Sequence, residues 1–140
     1  MYQTNAFTNK YNVQNKTVGN ENIATLSISL CERGMKAVSG AIDGEKLGRK
    51  SMWAIEISMS IVVIESLISI LDKENPIFKS VLDLYMNMGS IAKALLEKRI
   101  PAEKASKLLS LFTEVRNQWS DLGMKHSMQT AVDISSGDVL

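Results

Sequence analysis

The segment Met52–Leu71 is apolar on two faces at helical spacing, and no other feature of the chain limits its fold as strongly. At about 100° per residue, one stripe contains Trp53, Ile57, Ile61, Ile64, Ile68 and Leu71. The second stripe contains Met52, Ile55, Met59, Val62 and Ile70. A surface helix in a small bundle needs one apolar stripe, so two stripes imply two packing partners. We expect the first stripe to face a core, while the second meets another bundle helix, a second subunit or a client peptide.

Helical periodicity extends over most of the chain and is divided by turn signals. Asp43-Gly44 marks a turn, Asn75-Pro76 combines a capping asparagine with proline at the first helical position, and Gly123 is a stop signal. The predicted helices span about 22–42, 45–73, 76–99 and 101–123. Strand alternation is not convincing anywhere, and the joints between helices are short. The pattern predicts an all-α fold, an antiparallel four-helix bundle.

The two ends of the chain lack sustained periodicity. Residues 1–19 are rich in Asn, Gln and Thr, and residues 124–140 are polar and small. We therefore expect a flexible N-terminal arm over 1–19, the bundle over 20–123 and a disordered tail over 124–140. The arm carries Tyr2, Phe7 and Tyr11, which are either solvated or folded back onto an apolar groove.

Charge and cysteine content restrict the classes of partner and the compartment. The formal net charge is +1 with acidic and basic residues interleaved, so we expect no nucleic-acid partner. A single Cys31 excludes an internal disulfide and fits a reducing cytosol. Met1–Asn5 has no basic stretch leading into an apolar one, so we expect no signal peptide. Glu56 and Glu65 would be costly in lipid, so we expect no membrane span over Met52–Leu71.

Side chains that perform catalysis or hold metals are sparse in this sequence. His126 is the only histidine, and a zinc site would need more ligands than His126 and Cys31. Glu56 and Glu65 are nine residues apart, so they fall on opposite sides of a helix and cannot act as a pair. We expect a solvated His126 and a buried, inert Cys31 thiol. The sequence therefore favours a protein that is not an enzyme and holds no cofactor or metal.

Methionine is abundant in the two middle helices, which favours a binding role. The chain contains 8 Met, and four of them, Met52, Met59, Met86 and Met88, belong to the second and third predicted helices. Methionine side chains are adaptable and recur on surfaces that accept peptides, but they also fill gaps in cores. Both roles remain open at this point.

Several short motifs occur in the order typical of one known family. Leu111–Trp119 resembles the ending "LL-x-x-L-R-x-x-W" of the flagellar export chaperones of flagellin, the FliS family. Further motifs, in family order, resemble "LYDGAI", the "x-G-D" turn, "II-x-x-x-L-x-x-x-LD" and "LY-x-Y-M". They lie at Leu30–Met35, Asp43–Glu45, Val62–Asp72 and Leu84–Met88. The resemblance covers about residues 20–122. Cys31 and Asn87 stand where the family has tyrosines, so the chain resembles a divergent member.

The resemblance implies a cytoplasmic, non-enzymatic bundle that binds the C-terminal segment of newly made flagellin. Such a chaperone stops premature polymerisation and assists export, and other flagellar regulators are further candidate partners. We expect a monomer or a weak homodimer. The alternative is a helical adaptor or self-associating bundle with an unrelated protein partner. The expected partner-binding residues are Tyr2, Phe7, Tyr11, Met52, Ile55, Met59, Val62, Tyr85 and Met88.

Overall fold

A computed structural model describes the backbone of residues 20–139 and the side chains of residues 23–122. These residues form four long helices and two short 3₁₀-helices, and no strand occurs among them. The long helices are α1 (Asn20–Lys46), α2 (Lys50–Ile70), α3 (Lys79–Leu96) and α4 (Ala105–Val139). The 3₁₀-helices Pro76–Phe78 and Ala102–Lys104 lead into α3 and α4. The predicted all-α four-helix bundle is therefore confirmed, whereas the predicted arm over 1–19 lies outside the described residues.

Helix α1 packs against both α2 and α4, and α3 completes the bundle by packing mainly on α2. Gly40 lies opposite Glu56, and Gly44 lies opposite Met52, so residue numbers rise along α1 as they fall along α2. The two helices are therefore antiparallel, as expected for neighbours joined by a three-residue turn.

The first apolar stripe of α2 lies in the core, as predicted. Trp53, Ile57, Ile64 and Leu71 are buried, whereas Ile61 and Ile68 are half-buried at its edge. The buried face is wider than this stripe, because it also includes Ser60, Val63, Leu67 and Ile70. Ile70 belongs to the second stripe and is buried, so the C-terminal end of α2 is enclosed on more sides than its middle.

The predicted turn at Asp43-Gly44 is wrong. Helix α1 continues through both residues to Lys46, and the chain turns at Gly48, whose φ is +71°. Gly44 is instead a packing position: a Cβ atom there would lie 3.0 Å from the Cγ atom of Met52. The absence of a side chain thus serves the close approach of α2 rather than a left-handed turn.

The start of the third helical segment is confirmed at Asn75-Pro76. The Asn75 side chain accepts a hydrogen bond from the Ile77 N–H at 3.1 Å, and Pro76 occupies the first position. The segment ends earlier than the predicted Arg99. Its last α-helical residue is Leu96, and Lys98 adopts a φ of +58°.

Two helices end with the same pattern of backbone hydrogen bonds. After α3, the Arg99 N–H donates to the Ala94 oxygen at 2.9 Å and the Lys98 N–H donates to the Leu95 oxygen at 3.2 Å. After α1, Arg49 and Gly48 make the equivalent bonds to the carbonyls of residues 44 and 45. The left-handed position is therefore filled by glycine after α1 and by lysine after α3.

Helix α4 is longer than predicted. The sequence placed its end at Gly123, but the helix continues to Val139. A lone glycine lowers the stability of a helix by about 1 kcal/mol, which is not enough to end it. The division of the chain into arm, bundle and tail stays a prediction.

The ring of Phe112 on α4 lies directly on the backbone of α1 at Gly34. A Cβ atom at Gly34 would lie 2.6 Å from the Cζ atom of Phe112, and the ring is fully buried. Below this contact, Arg116 of α4 and Glu32 of α1 lie 3.6 Å apart across the same seam. Because Gly34 has no side chain, α1 and α4 approach each other more closely than two helices with side chains at the contact could.

We expect Gly34→Ala to lower the free energy of unfolding by about 1–3 kcal/mol, because the methyl group overlaps a buried ring that cannot move freely. The control is Gly89→Ala in α3, where the new Cβ would lie 3.7 Å from Ile64, an ordinary contact. That variant should gain up to about 1 kcal/mol from helix propensity. Urea denaturation measures both, and equal stabilisation by both variants would contradict the close approach at Gly34.

The left-handed conformation of Lys98 predicts a stabilising substitution. Lys98→Gly should raise the free energy of unfolding by about 0.5–1 kcal/mol, because glycine adopts this conformation without the penalty of a side chain. Lys93→Gly, in the last turn of α3, is the matched control and should lower it by about the same amount. If thermal unfolding shows a loss for both variants, Lys98 is not held in this conformation in solution.

Candidate partner-binding surface

Two large apolar side chains of the second stripe stand in solvent on one side of α2. Ile55 is 63% exposed and Val62 is 53% exposed. They are seven residues apart, so they lie on the same side of the helix, about 10 Å apart along its axis. We call this surface, with its flanking residues Met52 and Met59, the α2 outer face. Its exposure distinguishes it from the opposite side of α2, which is buried.

The two methionines form the border of the α2 outer face that is nearer to α1. Both are half-buried, and Met52 packs at Gly44. Met59 is two turns further along the same side of the helix, near the position of Glu56 opposite Gly40. The predicted second stripe is therefore divided in the structure: Ile55 and Val62 reach solvent, whereas Met52 and Met59 are half-buried.

Small side chains occupy most of the remaining α2 outer face. Ser51, Ala54 and Ser58 are all exposed between or beside the two large apolar residues. The exposed Glu65 follows after Val62. A helix laid along this face would meet few long side chains, so its backbone could approach α2 closely.

Tyr85 and Met88 do not belong to this surface, although the sequence placed them among the partner-binding residues. Both side chains are fully buried in the core. Each lies on the side of α3 that faces the bundle interior, together with Ala92 and Leu95. The sequence signal for their burial was present, since these four residues recur at helical spacing on one side of α3.

Tyr85 instead joins α3 to α4 through a buried hydrogen bond. The indole N–H of Trp119 donates to the Tyr85 hydroxyl oxygen at 2.7 Å. Burial raises the pKa of Tyr85 above its usual range, although the hydrogen bond from Trp119 acts in the opposite direction. The ring of Phe78 lies 6.0 Å from that of Trp119, centroid to centroid, at an interplanar angle of 36°. These three aromatic residues fix the end of the bundle where α3 begins.

Tyr2, Phe7 and Tyr11 of the predicted binding set lie outside the described residues. Large apolar side chains that the sequence did not place in this set are also exposed: Leu47, Ile77 and Met86 are 64%, 72% and 58% exposed. Leu47 and Ile77 lie in or beside the connections between helices, where periodicity carries no signal. Single exposed apolar residues are common on protein surfaces, so they define no second site by themselves.

The described residues offer little for chemical catalysis. No group of three His, Cys, Asp or Glu side chains among them could hold a metal ion. Cys31 is fully buried, and burial raises the pKa of its thiol to about 12, more than nearby Arg116 lowers it. The thiol is therefore protonated at neutral pH, which agrees with the expected inert cysteine. His126 lies beyond the described side chains.

One helix of the described part has the length and apolar composition of a membrane span. It is α2, which is long enough and apolar enough to cross a bilayer. The core helix of a soluble bundle meets the same criterion, because its buried face is equally apolar. Composition alone therefore does not separate the two uses of α2.

The Trp119–Tyr85 hydrogen bond can be measured by a double-mutant cycle. Trp119→Ala should cost roughly 3–5 kcal/mol, because it empties a buried site. Trp119→Phe and Tyr85→Phe should each cost about 1–3 kcal/mol, since each leaves one buried polar group without its partner. The double variant should lose less than the sum of the two single variants. Additive losses in chemical denaturation would show that the bond contributes nothing.

Comparison with known proteins does not place the chain in a family. No family model matches it, and neither a curated protein nor a solved structure is similar to it. The resemblance to the FliS family thus rests on the order of short motifs along residues 20–122.

Proposed function

We propose that this protein is a cytoplasmic flagellar secretion chaperone that binds the C-terminal segment of flagellin, prevents its premature polymerisation and assists its export. The observation that carries the proposal is the α2 outer face, where Ile55 and Val62 stand exposed on a helix whose other side is buried. The order of the short motifs supports the identity of the client. In this role the protein is not an enzyme and needs no cofactor.

The spacing of the exposed residues fits a helical client. An amphipathic helix docks into a groove through apolar residues at positions i, i+3 or i+4, and i+7. Ile55 and Val62 repeat at the same interval, so an antiparallel or parallel client helix can place one anchor beside each. Ser51, Ala54 and Ser58 leave room for its backbone. Met52 and Met59 can adjust their side chains to the client at the border with α1.

Coverage of an apolar segment explains how binding would prevent polymerisation. A disordered amphipathic segment gains little affinity per unit area, but it can extend along a long surface. While its apolar residues lie on α2, they are not available to neighbouring flagellin subunits. Weak, extended binding also permits release at the export gate, since a modest competing interaction is enough to displace the client. Tyr2, Phe7 and Tyr11 of the arm would contact the client or compete with it for the same face.

The main test compares lysine substitutions on the two sides of α2. Val62→Lys should weaken binding of a labelled flagellin C-terminal peptide by roughly thirtyfold, the cost of losing an interface residue worth about 2 kcal/mol. It should change the free energy of unfolding by less than about 0.5 kcal/mol, because the side chain is exposed. Ile57→Lys should unfold the bundle, since Ile57 is fully buried and an unpaired charge there has no compensation. Fluorescence anisotropy and circular dichroism provide the two readouts.

Asn87→Lys is the control, because Asn87 is exposed on α3, away from the α2 outer face. It should bind the peptide as the unsubstituted protein does. If Val62→Lys also binds normally, the α2 outer face is not the client site. If the unsubstituted protein does not bind the peptide at all, the flagellin client itself is wrong.

One observation favours self-association as a second candidate. Ile55 and Val62 are both exposed on one side of α2. In an antiparallel pair of α2 helices from two copies, Ile55 of each copy would lie beside Val62 of the other. Light scattering over a range of protein concentrations, with and without the flagellin peptide, distinguishes a dimer from a client-binding monomer.

A further inference from the structure

A cavity of about 380 Å³ opens at the end of the bundle where α1 ends and α2 begins. Its size falls within the range of pockets that hold small ligands or single side chains. Three separate segments form it: the C-terminal end of α1, the first turn of α2, and the 3₁₀-helix before α4 together with Ser106 in the first turn of α4. It lies on the bundle side of α2, so an inference drawn from it goes beyond the proposed function.

The walls of the cavity are apolar. Ile42 of α1, Trp53 of α2 and Ala102 of the 3₁₀-helix contribute them. Trp53 is 5% exposed, so most of its ring is held by the core, and the part that remains accessible is fixed in place. A rigid aromatic surface of this kind can contact an aliphatic chain or a cation without loss of side-chain freedom.

The mouth of the cavity carries carboxylates. Glu45 and Glu103 both line it, and Lys46 contributes one opposing charge. These three groups leave one net negative charge at the mouth. Ion pairs among the described residues join Arg99 to Glu97 and Arg116 to Glu32, and neither Glu45 nor Glu103 takes part in one. Both carboxylates are therefore available to a cation.

We propose that this cavity binds a primary ammonium or guanidinium group carried on a short aliphatic chain. The chain lies against Ile42, Ala102 and the accessible part of Trp53, and the cationic head reaches Glu45 and Glu103. The carboxylates attract the cationic head, and the apolar walls favour burial of the chain, so one ligand gains from both. The same chemistry occurs in a free small amine and in a lysine or arginine side chain of a protein partner.

An anionic ligand or a neutral ligand fits this cavity less well than a cation. Two carboxylates at the mouth repel an anion, and Lys46 alone does not compensate for both. A neutral apolar group would gain from the walls but nothing from the charged mouth. Charge dependence is thus the property that separates a cation site from a general apolar cavity.

The test follows the indole N–H signals of the two tryptophans by NMR during titration with n-butylammonium. We expect a saturable displacement of the Trp53 signal. The Trp119 signal is an internal control, because its N–H is buried and bonded to Tyr85, and it should not move. Butan-1-ol has a chain of the same length but no charge, and it should bind at least about fivefold more weakly than n-butylammonium. Equal binding of the alcohol would overturn the proposal.

Variants of the mouth test the role of each charge. Glu45→Gln combined with Glu103→Gln should weaken n-butylammonium binding about fivefold or more, while Lys46→Gln should strengthen it by removing a competing cation. Glu65→Gln combined with Glu74→Gln is the matched control on exposed carboxylates elsewhere and should have no effect. All of these residues are exposed, so circular dichroism should be unchanged. An unchanged affinity in the double variant at the mouth would overturn the proposal.

A second probe identifies the source of the cation. The capped tripeptide acetyl-Ala-Arg-Ala-amide presents the guanidinium as a protein partner would. If it displaces the Trp53 signal at lower concentration than n-butylammonium, the site serves a basic side chain; if it needs a higher concentration, the site serves a free amine. If neither probe gives a saturable displacement below roughly 100 mM, the cavity is not a cation site.

Discussion

The close approach of α1 to its two main neighbours sets the geometry of the bundle. Side chains of α2 and α4 lie on the α1 backbone where glycine leaves space: Phe112 at Gly34, Glu56 at Gly40 and Met52 at Gly44. Interiors are densely packed, so these contacts fix how closely α2 and α4 approach α1, and the two contacts from Glu56 and Met52 also fix the rotation of α2. The same contacts turn Ile57 inward and leave Ile55 and Val62 outward. The exposure of the α2 outer face is therefore a consequence of how α2 packs on α1.

The opposite side of the bundle is closed by a different kind of interaction. Helix α3 packs mainly on α2, and its link to α4 depends on the buried hydrogen bond between Tyr85 and Trp119. A buried hydroxyl is costly without a partner, so this bond selects one arrangement of α3 relative to α4 in addition to stabilising it. Glycine contacts thus determine how closely α2 and α4 approach α1, and the Tyr85–Trp119 hydrogen bond determines the register of α3 relative to α4.

Periodicity and capping chemistry were sufficient to predict the fold class, the buried stripe of α2 and the helix start at Asn75-Pro76. These sequence signals gave wrong predictions where one residue type serves two purposes. Gly44 reads as a turn from sequence, but its missing side chain serves helix packing, and only the position of Met52 in space reveals this. The cavity at Trp53 could not be predicted at all, because the 3₁₀-helix that completes its walls lies about 50 residues from Trp53 in sequence. The sequence left open what the second stripe of α2 contacts; in the structure Ile55 and Val62 are exposed, and Met52 and Met59 are half-buried.

The single thiol of Cys31 lies in the middle of α1, fully buried between the neighbours that the glycines bring close. Cys31 is remote from both ends of α1, which packs against both α2 and α4, so exposure of the thiol requires more than fraying at a helix end. Modification of the thiol must then wait until these helices separate. Its rate of reaction with an excess of a small disulfide reagent would therefore record how often the bundle opens. This reaction rate can be measured with a client bound and compared with the rate in the free protein.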